Sequence, residues 1–219
     1  MGTTGGLAEE TTPTPPLASP LAGIPERGTP YLWLPNTTTV STFANPPRYA
    51  PEAAQAYVAA LLDLLGNRDP LDTMAATTDA LREATASLPD ALARQPEAEG
   101  KWSVVEVVRH LVDSEIVYGY RVRLIVAAER PHIPGYDQDA WTDRLRYRDD
   151  RLADALADFA ALRAMNLRWL RTRTPEEQAR IGIHSERGEE SVAHIAKLLA
   201  AHDLVHLRQI ARIRQAVAP

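Results

Sequence analysis

Apolar residues recur at helical spacing in several long segments after residue 50. The segment 51–65 begins with proline and is followed by Gly66, which is typical of a helix with both ends marked. Residues 70–88 have the same kind of pattern and predict a second helix, with an irregularity expected near Thr77 and Thr78. We take both segments as helices of the folded body.

A longer helix is predicted from Ser103 to about residue 129. Ser103 is followed three residues later by Glu106, which together predict a capping box at the start of this helix. Two neighbouring apolar stripes follow, and His110 falls within one of them. Pro131 then ends the helix. We therefore expect a wide buried face that includes an imidazole.

Two more helices complete the pattern. One starts near Asp149 and ends before Pro175, and the other starts at Ser191 as its N-cap. The last helix has an apolar stripe with steps of three and four residues, made of Ile195, Leu199, His202, His206, Ile210, Ile213 and Val217. The links around residues 131–141 and 182–188 read as loops, and no alternating run predicts a sheet. The fold class expected is all-α, a four-helix bundle with an accessory N-terminal helix.

Residues 1–50 differ from the rest because they are rich in threonine, proline and glycine. Such a composition buries too little apolar surface to offset chain entropy, so we expect an extended or flexible N-terminal arm. The bundle domain is then residues 51–219. The short segment 31–34, Tyr-Leu-Trp-Leu, is compatible either with a strand that packs on the body or with part of a loosely ordered arm.

Charge and composition limit the possible partners and metal ligands of the protein. The net charge is -5 and no basic stripe is present, so we expect no nucleic-acid partner. We find neither a signal peptide nor an apolar run near the roughly 20 residues that span a bilayer, so we expect a cytoplasmic protein without a membrane partner. The chain has no cysteine, so a metal would have to be held by histidine, aspartate or glutamate.

Three histidines are the strongest candidates for chemistry. His202 and His206 lie one helical turn apart on a buried stripe, and His110 lies on the buried face of another helix. Facing helices of a bundle can bring such side chains to one point, where a shared cation would compensate their desolvation. An ion bound by three imidazoles would have further coordination positions open for water or substrate, as the ions of catalytic sites do. The alternative is that each is an ordinary hydrogen-bonded core histidine.

The remaining polar and aromatic candidates surround these three. His194 is about 12 Å from His202 along a helix, too far to share an ion, and His132 and His184 are expected at the surface in loops. Carboxylates or amides that accept the second ring N–H orient metal-binding histidines. The candidates for this role are Glu106, Asp113, Asp203 and Gln209. Tyr136 and Trp141, in the loop after Pro131, are candidate walls of a substrate pocket or ordinary packing residues.

The motifs, taken in order, resemble the DinB-like family. Residues 101–113 are similar to the family's pattern of Trp-Ser, then Glu, then His-Leu-x-Asp, and residues 202–209 to its His-x-x-x-His-x-x-Gln. The loop 134–141 is also similar, and the resemblance covers about residues 55–217. It implies a four-helix bundle with a metal site at His110, His202 and His206, and relatives that include metal-dependent hydrolases and transferases or isomerases that use bacillithiol or mycothiol. It also implies that homodimers are common.

We therefore hold two main hypotheses about function. The first is an enzyme in which one divalent ion activates water or a low-molecular-weight thiol against a small-molecule substrate, with Asp113 or Glu106 as the catalytic proton acceptor. Nitrogen ligands suit several metals about equally, and we expect zinc or nickel, with iron or manganese as alternatives. The second hypothesis is a non-enzymatic module that binds or senses a metal.

Overall fold

A computed structural model of the chain describes residues 1, 2 and 51–218. Residues 3–50 of the arm predicted for residues 1–50, including the segment 31–34, lie outside the described residues. The boundary between arm and bundle domain at residue 51 therefore stays a prediction. None of the described helices is long and apolar enough to cross a membrane.

Helices make up most of the described part of the chain. The four longest helices after residue 66 are those predicted from periodicity, with ends shifted by a few residues, and the helix 70–85 is continuous through Thr77 and Thr78. The α-helices are α1 (Pro51–Leu65), α2 (Pro70–Thr85), α3 (Asp90–Ala93), α4 (Val104–Ala127), α5 (Gln138–Arg144), α6 (Leu152–Arg171), α7 (Pro175–Ala179) and α8 (Val192–Val217). The strands are β1 (His132–Ile133), β2 (Ile181–His184) and β3 (Gly188–Ser191).

Local capping starts the two helices that matter most for the site. The Ser103 side chain accepts a hydrogen bond from the Glu106 backbone N–H, and the Glu106 carboxylate accepts from the Ser103 backbone N–H at 2.7 Å. The Ser191 hydroxyl accepts from the backbone N–H of His194 at the start of α8. Both caps confirm the predicted starts, and they set the register that places the histidines on the inner faces.

Four helices enclose the core in a ring. Helix α4 packs on α6, α6 on α2, α2 on α8, and α8 on α4, while α1 packs against α8 from outside the ring. Buried apolar side chains from these helices fill the interior, among them Met74, Leu81, Leu111, Phe159 and Ile210. The prediction of a four-helix bundle with an accessory N-terminal helix is confirmed.

A small three-stranded sheet lies at one end of the bundle, where we expected only loops. Strand β1 pairs parallel with β2, and β2 pairs antiparallel with β3. The strands have two to four residues each, too short for an alternating pattern to stand out in the sequence. The sheet packs on α4, because a side chain at Gly182 would meet Ile133 at 2.5 Å and Ile125 at 2.8 Å.

A buried ion-pair network crosses the middle of the bundle. The Arg163 guanidinium on α6 donates to Asp203 on α8 at 2.5 Å and to Glu115 on α4 at 2.8 Å, and all three side chains are inaccessible to solvent. It also donates to the Met74 carbonyl on α2 at 2.8 Å. Arg163 is therefore a buried arginine that joins all four helices of the ring.

Candidate metal centre

The three predicted histidines meet inside the bundle. His202 and His206 are one turn apart on α8, and His110 faces them from α4. The Nε2 atom of His202 lies 3.0 Å from Nε2 of His110 and 3.0 Å from Nε2 of His206. The exposed fractions of His110, His202 and His206 are 1%, 6% and 9%. The structure thus brings together three ring nitrogens from two helices in a buried cluster.

All three imidazoles are neutral near pH 7. Burial lowers the pKa of His110 and of His202 well below the ordinary histidine value, and the neighbouring His206 adds to both shifts. Burial also lowers the pKa of His206 to about 4, against an opposing hydrogen bond with Gln209. Neutral imidazoles have a free lone pair, which is the form that binds a metal ion.

Hydrogen bonds among the three rings cannot give every ring nitrogen a partner. The Nδ1 atom of His206 donates to Gln209 Oε1 at 2.7 Å, which leaves its Nε2 as a lone pair directed at His202. A single proton on Nε2 of His202 would be shared by two contacts of 3.0 Å. The Nδ1 atom of His202 is buried and has no hydrogen-bond partner among the described residues. The alternative of ordinary hydrogen-bonded core histidines therefore accounts poorly for the cluster.

The spacing of the nitrogens fits a metal ion. In a tetrahedral zinc site with bonds of about 2.0–2.1 Å, two ligand nitrogens are separated by about 3.3 Å. The contacts of 3.0 Å in the cluster are close to that spacing, and His110, His202 and His206 each offer one ligand atom. Three neutral nitrogen donors on one side of an ion suit zinc or nickel and leave coordination positions for other ligands.

Of the two candidates on α8 for orienting these rings, one contacts a histidine and the other does not. Gln209 accepts the Nδ1–H of His206 and so holds that ring with Nε2 toward the cluster. Asp203 does not contact a histidine: its carboxylate accepts from Arg163 at 2.5 Å and 3.0 Å and from the Thr77 hydroxyl at 2.9 Å. The expectation that Asp203 orients an imidazole is wrong, because the buried arginine takes both of its oxygens.

The two candidate carboxylates on α4, Glu106 and Asp113, differ in how fully other residues engage them. Glu106 is held by the capping box and by Arg148, which donates to it at 2.9 Å, so it serves the start of the helix. Asp113 is almost fully buried and accepts a short hydrogen bond from the Tyr147 hydroxyl through one oxygen. Burial raises the pKa of Asp113, against the opposing effects of Tyr147 and Arg109. Asp113 therefore has one oxygen that is not engaged by Tyr147.

Aromatic rings surround the cluster. Trp102, just before α4, lies with its ring 5.0 Å from that of His110 and stacked at 6.5 Å on that of His206. The Tyr118 ring is 6.4 Å from that of His202. After α4, Tyr136 in the loop and Trp141 in α5 pack on each other, with their ring centroids 4.8 Å apart. Sequence reasoning missed Trp102 as a site residue, although it directly precedes the capping box.

The other histidines fall in different environments. His132 is exposed, as expected, and His194 is partly buried near the start of α8. His184 does not lie in a surface loop: it ends strand β2 and is 2% exposed. The prediction failed because the strand is too short to show which of its residues face inward.

Comparisons with known proteins agree with this site and fold. The family model described as the DinB superfamily matches residues 73–210, which contain all three histidines. A Bacillus subtilis protein named "Putative metal-dependent hydrolase YfiT" is 29% identical over 60% of this chain and 76% of its own length. An Oceanobacillus iheyensis protein, also named a "putative metal-dependent hydrolase", is 31% identical over 61% of this chain and 76% of its own length.

A solved structure also supports the fold. It is that of YfiT from Bacillus subtilis, described as "a probable metal-dependent hydrolase with an unusual four-helix bundle topology". Its TM-score is 0.59 at 22% identity, with 78% of this chain and 92% of that chain covered. The family match over more than half of the chain and the shared bundle lead to one conclusion: this chain belongs to the DinB superfamily.

Proposed function

We propose that this protein is a metal-dependent hydrolase of a small-molecule substrate. One divalent ion, zinc or nickel in preference to iron or manganese, is held by His110, His202 and His206. The observation that carries the proposal is the convergence of three neutral imidazoles inside the bundle, where Nε2 of His202 lies 3.0 Å from Nε2 of each of the other two. The names of the relatives from Bacillus subtilis and Oceanobacillus iheyensis support hydrolysis as the reaction class.

The bound ion supplies Lewis acidity, which lowers the pKa of a water molecule or thiol at an open coordination position. The protein supplies the rest. Gln209 fixes the orientation of His206, and the capping box at Ser103 fixes the register of α4 and thus the position of His110. Trp102 covers His110 and His206 and limits access of bulk water to the cluster.

Asp113 is the proton acceptor in this proposal. It lies about one turn after His110 on α4, and its raised pKa places it closer to the working pH of a general base than an exposed aspartate. Tyr147 holds one carboxylate oxygen and leaves the other for a proton. Glu106 is a poorer acceptor because the cap and Arg148 engage its carboxylate.

A thiol co-substrate in place of water is the second candidate. The chain has no cysteine, so a sulfur nucleophile would have to arrive with a low-molecular-weight thiol, and no protein thiol competes for the ion. An ion held by the same three nitrogens would accept either oxygen or sulfur as a further ligand. In this case the enzyme is a thiol-dependent transferase that uses the same residues.

The test is turnover by the protein with and without its metal. Purified protein is stripped with a chelator, reloaded with zinc or nickel, and assayed on ester and amide substrates, each with and without a low-molecular-weight thiol. We expect turnover to disappear on stripping and to return on reloading, and a requirement for thiol selects the second candidate. Full turnover by the stripped protein contradicts the proposal, and a metal-loaded protein that is inactive on every substrate favours a binding or sensing module.

A further inference from the structure

A second group of buried polar side chains lies next to the metal centre, where α4 meets the sheet. Arg121 is 3% exposed, and its guanidinium lies 5.3 Å from the Tyr118 ring centroid and 5.9 Å from that of Tyr136. Among the described residues it donates one hydrogen bond, to the Pro134 carbonyl at 2.7 Å, and no carboxylate among them forms an ion pair with it. A guanidinium has five N–H donors, so the described part of the chain leaves most of its capacity unused.

His184 is placed beside Arg121 by the packing of β2 on α4. Arg180, just before β2, donates to the carbonyls of Ile125 and Ala128 at the end of α4. Gly182 then faces Ile125, and His184 is two residues further on the same face of the strand. Arg121 lies one turn before Ile125 on the same face of the helix. The register of β1 with β2 agrees, since His184 is paired with Ile133, next to Pro134.

Beside Arg121, the imidazole of His184 has an N–H donor without a hydrogen-bond partner among the described residues. Its Nδ1 accepts a hydrogen bond from the Glu186 backbone N–H at 3.2 Å, so the ring proton of the neutral form lies on Nε2. That Nε2 atom is buried and has no partner among the described residues. An unpartnered buried N–H costs free energy, and one next to an unpaired guanidinium indicates a missing anionic acceptor.

The surrounding charges favour an anion with a single charge. Arg187 is already neutralised by the buried Glu190, to which it donates at 2.5 Å and 3.0 Å. Among the described residues of this group, Arg121 is therefore the cation without a carboxylate at ion-pair distance, and Tyr57 and Tyr136 are neutral because burial raises the pKa of both. A planar guanidinium can donate two parallel hydrogen bonds to a carboxylate. The single charge of a carboxylate also matches one unpaired cation better than the two charges of a phosphate dianion.

We propose that Arg121 and His184 form a subsite that binds the carboxylate of a small anionic substrate. Tyr118 lies between this subsite and the metal centre, since its ring is near both His202 and Arg121. The inference rests on the proposed function, to which it adds the substrate class: a carboxylic acid whose reacting bond lies on the far side of Tyr118, at the metal.

The test uses benzoate as the carboxylate probe, benzamide as its neutral analogue and inorganic phosphate as the alternative anion. Binding to the metal-loaded protein is measured by calorimetry, and side-chain N–H signals of arginine and histidine are followed by NMR. We expect benzoate to bind in preference to both other compounds and to shift the Arg121 Nε–H and His184 Nε2–H signals. Wild-type protein in which benzoate shifts neither signal overturns the proposal, whatever the variants do.

Variants then assign the binding. We expect Arg121→Gln to weaken benzoate binding about tenfold or more, Arg121→Lys to weaken it less, and the control Arg123→Gln, on the same helix, to leave it unchanged. Metal content, measured on each variant, is expected to match wild type. Unchanged benzoate binding in Arg121→Gln overturns the subsite. Benzoate binding that persists in the metal-stripped protein supports the subsite even if the hydrolase proposal fails, and binding that needs the metal but not Arg121 overturns it.

Discussion

At the scale of single residues, the site depends on which proton each imidazole carries. Gln209 determines this for His206, because its side-chain oxygen accepts the Nδ1 proton and leaves Nε2 free. Burial then keeps the rings neutral over the physiological range. The residues that hold the histidines are therefore expected to affect the metal affinity almost as clearly as the histidines themselves.

Gln209→Ala tests this role. Without its acceptor, the His206 ring loses its fixed tautomer and orientation, so we expect the metal affinity to fall about 10- to 100-fold with little change in the helical content. The measurement is competition with a chromophoric chelator. Gln215→Ala, an exposed position on the same helix, is the control and is expected to behave as wild type. Equal affinity in the two variants would argue against the role of Gln209.

His184 makes a separate prediction about pH. Its pKa is lowered to about 3, first by burial and then by the charges of Arg187 and Arg121, whereas an unfolded histidine titrates near 6.5. The unfolded state therefore binds the proton first, so this contribution to stability is present above pH 6.5 and is lost as the pH falls toward 3.

The measurement is urea unfolding of wild type and His184→Gln at pH 7.5 and 5.0. If the folded state kept His184 entirely unprotonated, wild type would lose roughly 2 kcal/mol more stability than His184→Gln between these pH values. Solvent screening reduces this difference, so we expect it to be about 1 kcal/mol. The control Gln215→Ala, which changes an exposed uncharged side chain, is expected to keep the wild-type pH dependence. Parallel curves for wild type and His184→Gln would show that His184 is not held neutral.

At the scale of secondary-structure elements, one buried arginine joins the helices that carry the site. Arg163 on α6 contacts Glu115 on α4 and Asp203 on α8, next in sequence to His202. Apolar packing alone would allow α4 and α8 to slide, while a directional ion pair defines one arrangement. We infer that Arg163 helps to set the distance between the two helices across which His110 and His202 meet.

Arg163→Met is expected to destabilise the protein by about 3–5 kcal/mol, because it leaves two buried carboxylates without their partner. The control is Arg82→Ala, which breaks the exposed pair with Asp79 and is expected to cost less than about 1 kcal/mol. Urea unfolding at pH 7.5 compares the two variants. If they prove equally stable, the network contributes nothing that apolar packing cannot replace.

At the scale of the whole molecule, the sequence predicts the bundle well and its polar interior poorly. Long periodic helices with Ser103 and Ser191 as caps are local signals, and the stripe on α8 places two histidines inward without any knowledge of the fold. The sheet and the burial of Arg163 and His184 depend on contacts between residues far apart in the chain. Such contacts leave no periodic pattern, and an arginine on a helix is exposed in most cases.

The central claim is that His110, His202 and His206 hold one metal ion. Elemental analysis of the purified protein tests it most directly, with wild type compared to His202→Ala and to His132→Ala, which removes an exposed histidine. We predict about one ion per chain in wild type and in His132→Ala, and almost none in His202→Ala. A metal content in His202→Ala equal to that of wild type would contradict the claim.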